Sequence, residues 1–313
     1  MTLVVARQIS NEVYLLADTK ITPTIASAIS SYISFNGGLK LVILAPWLCV
    51  GFANNTEYAR KAIEGIYSKD INIFDNKQII NYFLNIHLAS IEAGDSADFI
   101  VALINECKGI DGTSTKEVFK IADSKVSSEN ISTYIGDNAA FNCFQDISHN
   151  GRTDPYSPNF EISKLGKKER PEFDKSLCTA MIAMQGVIDN IDILVVDGIR
   201  TTVVSEENQF RYVEDHQIRG RPIPVRNELN APVSFGAAAE GSAHKQVGMF
   251  SAAGCGVFPV YWSTGHYGVI YHPEENFEPI FIRDISLDEF RLKVEEQIYI
   301  ANQKALNYQS RFY

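Results

Sequence analysis

Two short apolar runs separated by a polar turn open the chain. Residues 3–8 and 12–18 are apolar at most positions of both alternating sets, and Ile9-Ser10-Asn11 lies between them. Strands that are apolar on both faces are typically covered on both sides. Residues 39–52 repeat the pattern around a turn at Ala45-Pro46, which predicts a second hairpin.

The next stretch alternates helical and strand patterns. The spacing of apolar residues predicts helices over residues 57–67, from the cap at Asp75 or Asn76 onward, over 138–147 and over 175–188. It predicts strands over 98–104, 118–122, 132–135, 193–196, 201–204 and 209–213, and a loop over 149–171. This order predicts an α+β fold in which two helix pairs enclose two antiparallel sheets.

The character of the chain changes after residue 213. Residues 214–230 are charged and contain proline, which favours a linker, whereas 257–263, 267–272 and 279–282 resemble strands. Ser286 and Glu289 form the pattern of a capping box before a final helix over 287–306. We therefore expect a core over residues 1–213. The extension over 214–313 could continue the same sandwich, and the pattern leaves its role open.

Charge and composition exclude several classes of protein. The chain has 28 Lys and Arg against 38 Asp and Glu, a net charge of −10, which argues against a nucleic-acid partner. The five cysteines are dispersed without a Cys-x-x-Cys pair, as in reduced cytoplasmic proteins. No apolar run is long enough to span a membrane and no secretory signal is visible. His266 and His272 lack matching ligands, so we expect no metal site.

Thr2 carries the most distinctive chemistry. A small residue behind Met1 allows the methionine to be removed, which would leave a threonine with a free α-amine. The hydroxyl of such a residue is a nucleophile and its amine is a base, so one residue supplies both functions.

The segments around Thr2 resemble a known family. Thr2-Leu3-Val4-Val5-Ala6, then Leu15-Leu16-Ala17-Asp18-Thr19-Lys20-Ile21-Thr22, then Lys40 at the start of a strand, are similar to proteasome β-type subunits and their bacterial relatives. These are N-terminal-nucleophile (Ntn) hydrolases. The similarity covers residue 2 to about residue 213, although the loop from Pro23 to Gly38 is longer than in the family.

The resemblance implies a four-layer αββα sandwich, the Ntn hydrolase fold. It implies an N-terminal-threonine amide hydrolase, most simply a proteasome-like peptidase that acts on peptides or proteins without a cofactor. It also implies a homo-oligomer, often a ring. In this interpretation Thr2 attacks the amide, Lys40 stabilises its alkoxide and Asp18 holds Lys40. The backbone amide of Asn54 matches the oxyanion-hole donor, at a position where the family has glycine.

Three acids match supporting positions of the family less closely. Asp137, in Ile135-Gly136-Asp137-Asn138, stands where the family has a serine. Asp189 matches a conserved acid, and Asp192 replaces a second serine. Extra negative charge near the amine would favour its protonated form, which is a poorer base. Alternatively, these acids are helix caps or solvated side chains.

The turn of the first hairpin can be formed in two ways. A three-residue turn at Ile9–Asn11 sets Thr2 opposite Asp18, whereas a two-residue turn at Ser10-Asn11 places Asp18 on the other face. The catalytic interpretation is expected to need the first register.

The same residues are compatible with more ordinary roles. Asp18 could bond the adjacent turn, and Lys40 could be a lysine at a strand edge. The chain would then be a catalytically inactive Ntn-fold scaffold or binding subunit. An amidase for small non-peptide amides is a third possibility.

Overall fold

The computed structural model describes most of the residues that the sequence analysis singled out. It describes residues 2–19, 38–67, 74–105, 114–128, 131–150, 170–190, 196, 199–206, 208–213, 216–219, 245–249, 256–262, 266–272 and 279–309. Within these ranges the fold is mixed α+β, with fifteen strands in three antiparallel sheets and five helices. The α+β class is therefore confirmed.

The elements follow one another along the chain in this order. The strands are β1 (Leu3–Ile9), β2 (Glu12–Ala17), β3 (Leu41–Ala45), β4 (Leu48–Asn54), β5 (Ala97–Asn105), β6 (Thr115–Ala122), β7 (Lys125–Ser128), β8 (Ser132–Gly136), β9 (Thr201–Glu206), β10 (Gln209–Tyr212), β11 (His216–Arg219), β12 (Lys245–Met249), β13 (Phe258–Trp262), β14 (Tyr267–Tyr271) and β15 (Ile280–Ile282). The helices are α1 (Thr56–Tyr67), α2 (Asn76–Glu92), α3 (Asn138–Asn150), α4 (Pro171–Asp189) and α5 (Leu287–Gln309).

The first two sheets are built around the predicted hairpins. The first has the order β10-β9-β2-β1-β8, so the N-terminal hairpin lies at its centre. The second has the order β3-β4-β5-β6-β7. The N-terminal hairpin is covered on both sides, as its apolar pattern predicts. Val4 and Ala6 belong to a buried cluster shared with the second sheet, α1 and α2, whereas Leu3 and Val5 pack in another with α3 and α4.

The third sheet is formed by residues beyond 213, in the order β11-β12-β13-β14-β15. One face joins the large cluster, where the rings of Phe258 and Tyr212 lie 4.8 Å apart. The other face packs on α5, with Tyr261 beside Phe290. Ser286 and Glu289 form the predicted capping box at the start of α5, since each side chain accepts the backbone N–H of the other residue.

Some predicted boundaries were wrong. The loop over 149–171 is too long, because α3 continues to Asn150 and α4 begins at Pro171, a residue suited to the first helical turn. The linker over 214–230 contains β11, while β7 and β12 were missed. These three strands have only four or five residues each, too few to show a clear alternation. Most of the predicted strand over 193–196 lies outside the described residues.

The helices of the described segments are all too short or too polar to cross a membrane.

Candidate functional site

Thr2 lies directly before β1 and is held by the junction of β8 and α3. The backbone N–H of Asp137 donates to the carbonyl of Thr2 over 2.8 Å. Gly136 adopts a φ of 106°, and a Cβ at this position would lie 1.9 Å from that carbonyl oxygen. Glycine is therefore required here, both for the backbone conformation and for the close approach of the two segments.

The structure brings Thr2, Asp18 and Lys40 into direct contact. Lys40 Nζ donates to Thr2 Oγ and to Asp18 Oδ2, the second at 2.8 Å, and the hydroxyl of Thr2 donates to Asp18 Oδ1. The relative exposures of the three residues are 3%, 0% and 2%, respectively. In such a water-poor environment a cation acts strongly on charge that develops at its hydrogen-bond partner.

The hairpin register differs from the one that this arrangement was expected to need. Ile9 pairs with Glu12 and Val4 with Ala17, so the turn has two residues, Ser10-Asn11. The expectation was wrong because Asp18 lies one residue beyond β2, where the strict alternation of faces ends. Its Oδ1 accepts the backbone N–H of Leu3 over 3.2 Å as well as the hydroxyl of Thr2.

Lys40 is positioned by its backbone at the entrance to β3. Its carbonyl accepts the N–H of Phe52 in β4 over 3.1 Å. Two residues earlier, the N–H of Gly38 donates to the carbonyl of Thr19 over 2.9 Å. The chain segments that carry Lys40 and Asp18 are thus tied together next to the ion pair, so both side chains reach Thr2 from fixed backbone.

Asn54 ends β4 in an unusual backbone conformation. Its φ is 68°, in the left-handed region that glycine adopts most readily and that asparagine tolerates better than most residues. Its side-chain Nδ2 donates to Asp98 Oδ2 over 2.7 Å. Asparagine at this position therefore occupies a conformation for which glycine is otherwise the natural choice.

The three supporting acids have different outcomes. Asp137 caps α3, since its Oδ1 accepts the N–H of Ala140 over 2.8 Å, as expected of a helix cap. Asp189 is the last residue of α4, and its Oδ2 accepts from Gln185 Nε2 over 2.9 Å. Asp192 lies outside the described residues.

Asp98 and His87 were not singled out by sequence reasoning. Asp98 is in β5, and burial raises the pKa of its carboxyl above the usual value for aspartate. His87 is completely buried in α2, and its Nδ1 lies 3.4 Å from Asp98 Oδ1. The sequence holds only two signals for these residues: Asp98 is an acid at the start of the apolar run 97–104, and His87 is a histidine on the apolar side of a helix.

No family model matches the chain, and no curated protein matches it at a significant level. Within the described ranges, no three His, Cys, Asp or Glu side chains are grouped so that they could hold a metal ion.

Proposed function

We propose that the chain is an N-terminal-threonine amide hydrolase of the Ntn class, most simply a proteasome-like peptidase. The observation that carries this proposal is the contact of Lys40 Nζ and Asp18 with the hydroxyl of Thr2. A hydroxyl that faces a buried lysine is suited to nucleophilic attack, because the cation stabilises the negative charge that its oxygen develops.

The proposed reaction starts from a chain whose first residue is Thr2. Its free α-amine takes the proton of Oγ, which attacks the carbonyl carbon of an amide. The backbone N–H of Asn54 stabilises the resulting oxyanion. The amine then returns the proton to the departing nitrogen, and water hydrolyses the ester left on Thr2. The charges of Lys40 and Asp18 stay the same throughout, because neither residue gains or loses a proton.

The layering of the fold supports the class. α3 and α4 share one buried cluster with the first sheet, and a second cluster joins that sheet to the second sheet, α1 and α2. We propose that these layers form the αββα sandwich of the Ntn hydrolases. In this proposal the third sheet and α5 are an addition to the sandwich, packed on its large core through Phe258.

A catalytically inactive scaffold is the second candidate. The observation that favours it is the burial of Thr2, which is only 3% exposed, so a substrate could reach it only after the residues that cover it move or are removed. Asp137 favours the scaffold as well. It stands where the family has a serine hydroxyl, and its carboxylate is used to cap α3.

Hydrolysis of a fluorogenic peptide library by protein that begins at Thr2 separates the two candidates. We expect turnover that is lost in Thr2→Ala and retained in part in Thr2→Ser, which preserves the hydroxyl and the amine. A Thr2→Ala variant as active as the parent would show that another group does the chemistry. Native mass spectrometry of the same samples tests the proposed homo-oligomer, and N-terminal mass analysis of the cellular protein tests the removal of Met1.

A further inference from the structure

We propose that Asp98 is a positioning residue whose ionised carboxylate holds Asn54 in its left-handed conformation, so that protonation of Asp98 makes the site sensitive to acid. This inference rests on the proposed function, in which the backbone N–H of Asn54 is the oxyanion donor. The inference adds that Asp98 supports this donor in a pH-dependent way.

The strand register shows why the contact and the backbone conformation depend on each other. In the pairing of β4 with β5, Asn54 lies opposite Ala97 and Ala53 lies opposite Asp98. In a regular pleat, the side chain of Asn54 would share the face of Ala97 and not that of Asp98. At a φ of 68° it nevertheless donates to Asp98 Oδ2 over 2.7 Å. Loss of this bond would therefore allow Asn54, whose backbone N–H is the proposed oxyanion donor, to leave this conformation.

A buried histidine, His87, lies beside the other oxygen of the Asp98 carboxylate. The backbone N–H of Ser124 donates to Nε2 of His87, so the ring hydrogen lies on Nδ1. That nitrogen is 2.8 Å from the carbonyl of Ala97 and 3.4 Å from Asp98 Oδ1. Because His87 is completely buried, it gives Asp98 a fixed neighbour in the core.

The groups that face Asp98 determine how it titrates. Burial raises its pKa and Asp123 adds to this effect, whereas the hydrogen bonds from Asn54 and Ser96 lower it. Burial is the largest cause, so Asp98 takes up a proton in milder acid than an exposed aspartate. A protonated carboxyl is a weaker acceptor for the amide of Asn54 than a carboxylate.

The sign of the stability effect separates positioning from a structural role. A carboxyl whose folded-state pKa is raised binds more protons folded than unfolded, so its ionisation lowers stability as pH rises through this window. Asp98→Asn removes that charge. We therefore expect the variant to unfold at neutral pH at the same temperature as the parent or a higher one, while the site reacts more slowly. If Asp98 were needed only for stability, Asp98→Asn would unfold at a lower temperature and its site would react at the rate of the parent.

The probe is a small β-lactone, which acylates a nucleophilic hydroxyl. Oγ of Thr2 bonds to the lactone carbonyl carbon, the ring C–O bond breaks, and the proton of Oγ passes through the α-amine to the released alkoxide. The rate of adduct formation is followed by intact mass between pH 4 and 8. Asp95→Asn is the matched control, because Asp95 accepts from the neighbouring Asn55 over 3.1 Å and is exposed.

We expect Asp98→Asn to slow acylation roughly tenfold to hundredfold at pH 7, as a misplaced donor does, and Asp95→Asn to leave the rate unchanged. In acid, the parent rate should fall more steeply than the Asp98→Asn rate, since protonation of Asp98 adds a loss of up to the same tenfold to hundredfold to the loss from protonation of the amine, and the two rates should converge. In an Asn54→Gly background, which needs no tether, Asp98→Asn should have no further effect.

Two results overturn the inference while leaving the proposed function intact. One is an Asp98→Asn variant with the rate and pH profile of the parent. The other is an equal loss from Asp98→Asn in the Asn54 and Asn54→Gly backgrounds, which would show that Asp98 does not act through Asn54. A parent protein that gains no adduct would refute the proposed function and this inference together.

Discussion

The ion pair of Lys40 with Asp18 allows a test of whether these buried charges serve stability or reactivity. The perturbation is the set Asp18→Asn, Lys40→Met and the double variant. Asparagine keeps an acceptor for the N–H of Leu3, which lies 3.2 Å from Asp18 Oδ1. Methionine is an unbranched, apolar replacement for the lysine chain. The set removes the two charges and the hydrogen bond between them with little change in side-chain size.

The magnitudes follow from the geometry. At 2.8 Å, two unit charges attract with about 6 kcal/mol if the effective dielectric constant is about 20. Because the side chains are 2% and 0% exposed, their desolvation offsets most of that attraction. Removing one partner leaves the other charge buried, so each single variant should lose roughly 3–5 kcal/mol, whereas the double variant should stay within about 2 kcal/mol of the parent. The coupling is then at least about 4 kcal/mol.

Urea denaturation gives the free energies of unfolding, and β-lactone acylation of the same samples gives reactivity. We expect the double variant to regain stability but not reactivity, with acylation at least about a hundredfold slower than in the parent. The exposed pair Lys61 with Glu57, with N···O 2.7 Å, is the matched control and should show no measurable coupling. A double variant that is stable and still acylates at the parental rate would refute the assigned role of the lysine.

Further predictions concern glycines at close contacts. Gly136→Ala should lower the free energy of unfolding by roughly 2–5 kcal/mol, because its Cβ would lie 1.9 Å from the carbonyl oxygen of Thr2. Gly94→Ala, at a φ of 91° with nothing within 4 Å, should lose only the part due to backbone strain, about 1–3 kcal/mol and less than Gly136→Ala, so equal losses in urea denaturation would contradict the contact. Gly268→Ala would place a Cβ 2.1 Å from the ring of Phe290, and should speed hydrogen exchange in α5 relative to α1; unchanged exchange would count against this packing.

Much of the fold was predictable from local pattern. The N-terminal hairpin has apolar residues on both faces, and the structure covers both. Asp75 was one of two predicted caps and is the N-cap of α2, with Gln78 completing a capping box. Such features depend on neighbours within a few residues, so the chain displays them directly.

The parts that escaped prediction depend on contacts between distant segments. The register of the first hairpin could not be predicted, because the turn could begin at either Ile9 or Ser10. The register also depends on the pairing of β1 with β8 and of β2 with β9. In the sequence, Asp98 is only a polar residue at the start of a predicted strand. Its partner Asn54 lies 44 residues away, so the local pattern does not show their contact. Thr2 stood out by its position behind Met1, whereas the roles of Asp18 and Lys40 came from the resemblance. The contact of Asp98 with Asn54 became visible only in the three-dimensional structure.

The central claim is that Thr2 Oγ is a nucleophile, and the most direct measurement is the site of covalent labelling. Protein that begins at Thr2 is treated with a β-lactone, and peptide mapping locates the adduct. The account predicts one adduct, on the hydroxyl of Thr2, that is absent from Thr2→Ala and strongly reduced in Lys40→Met. A folded protein that stays unlabelled, or one labelled elsewhere and equally in Thr2→Ala, would contradict it.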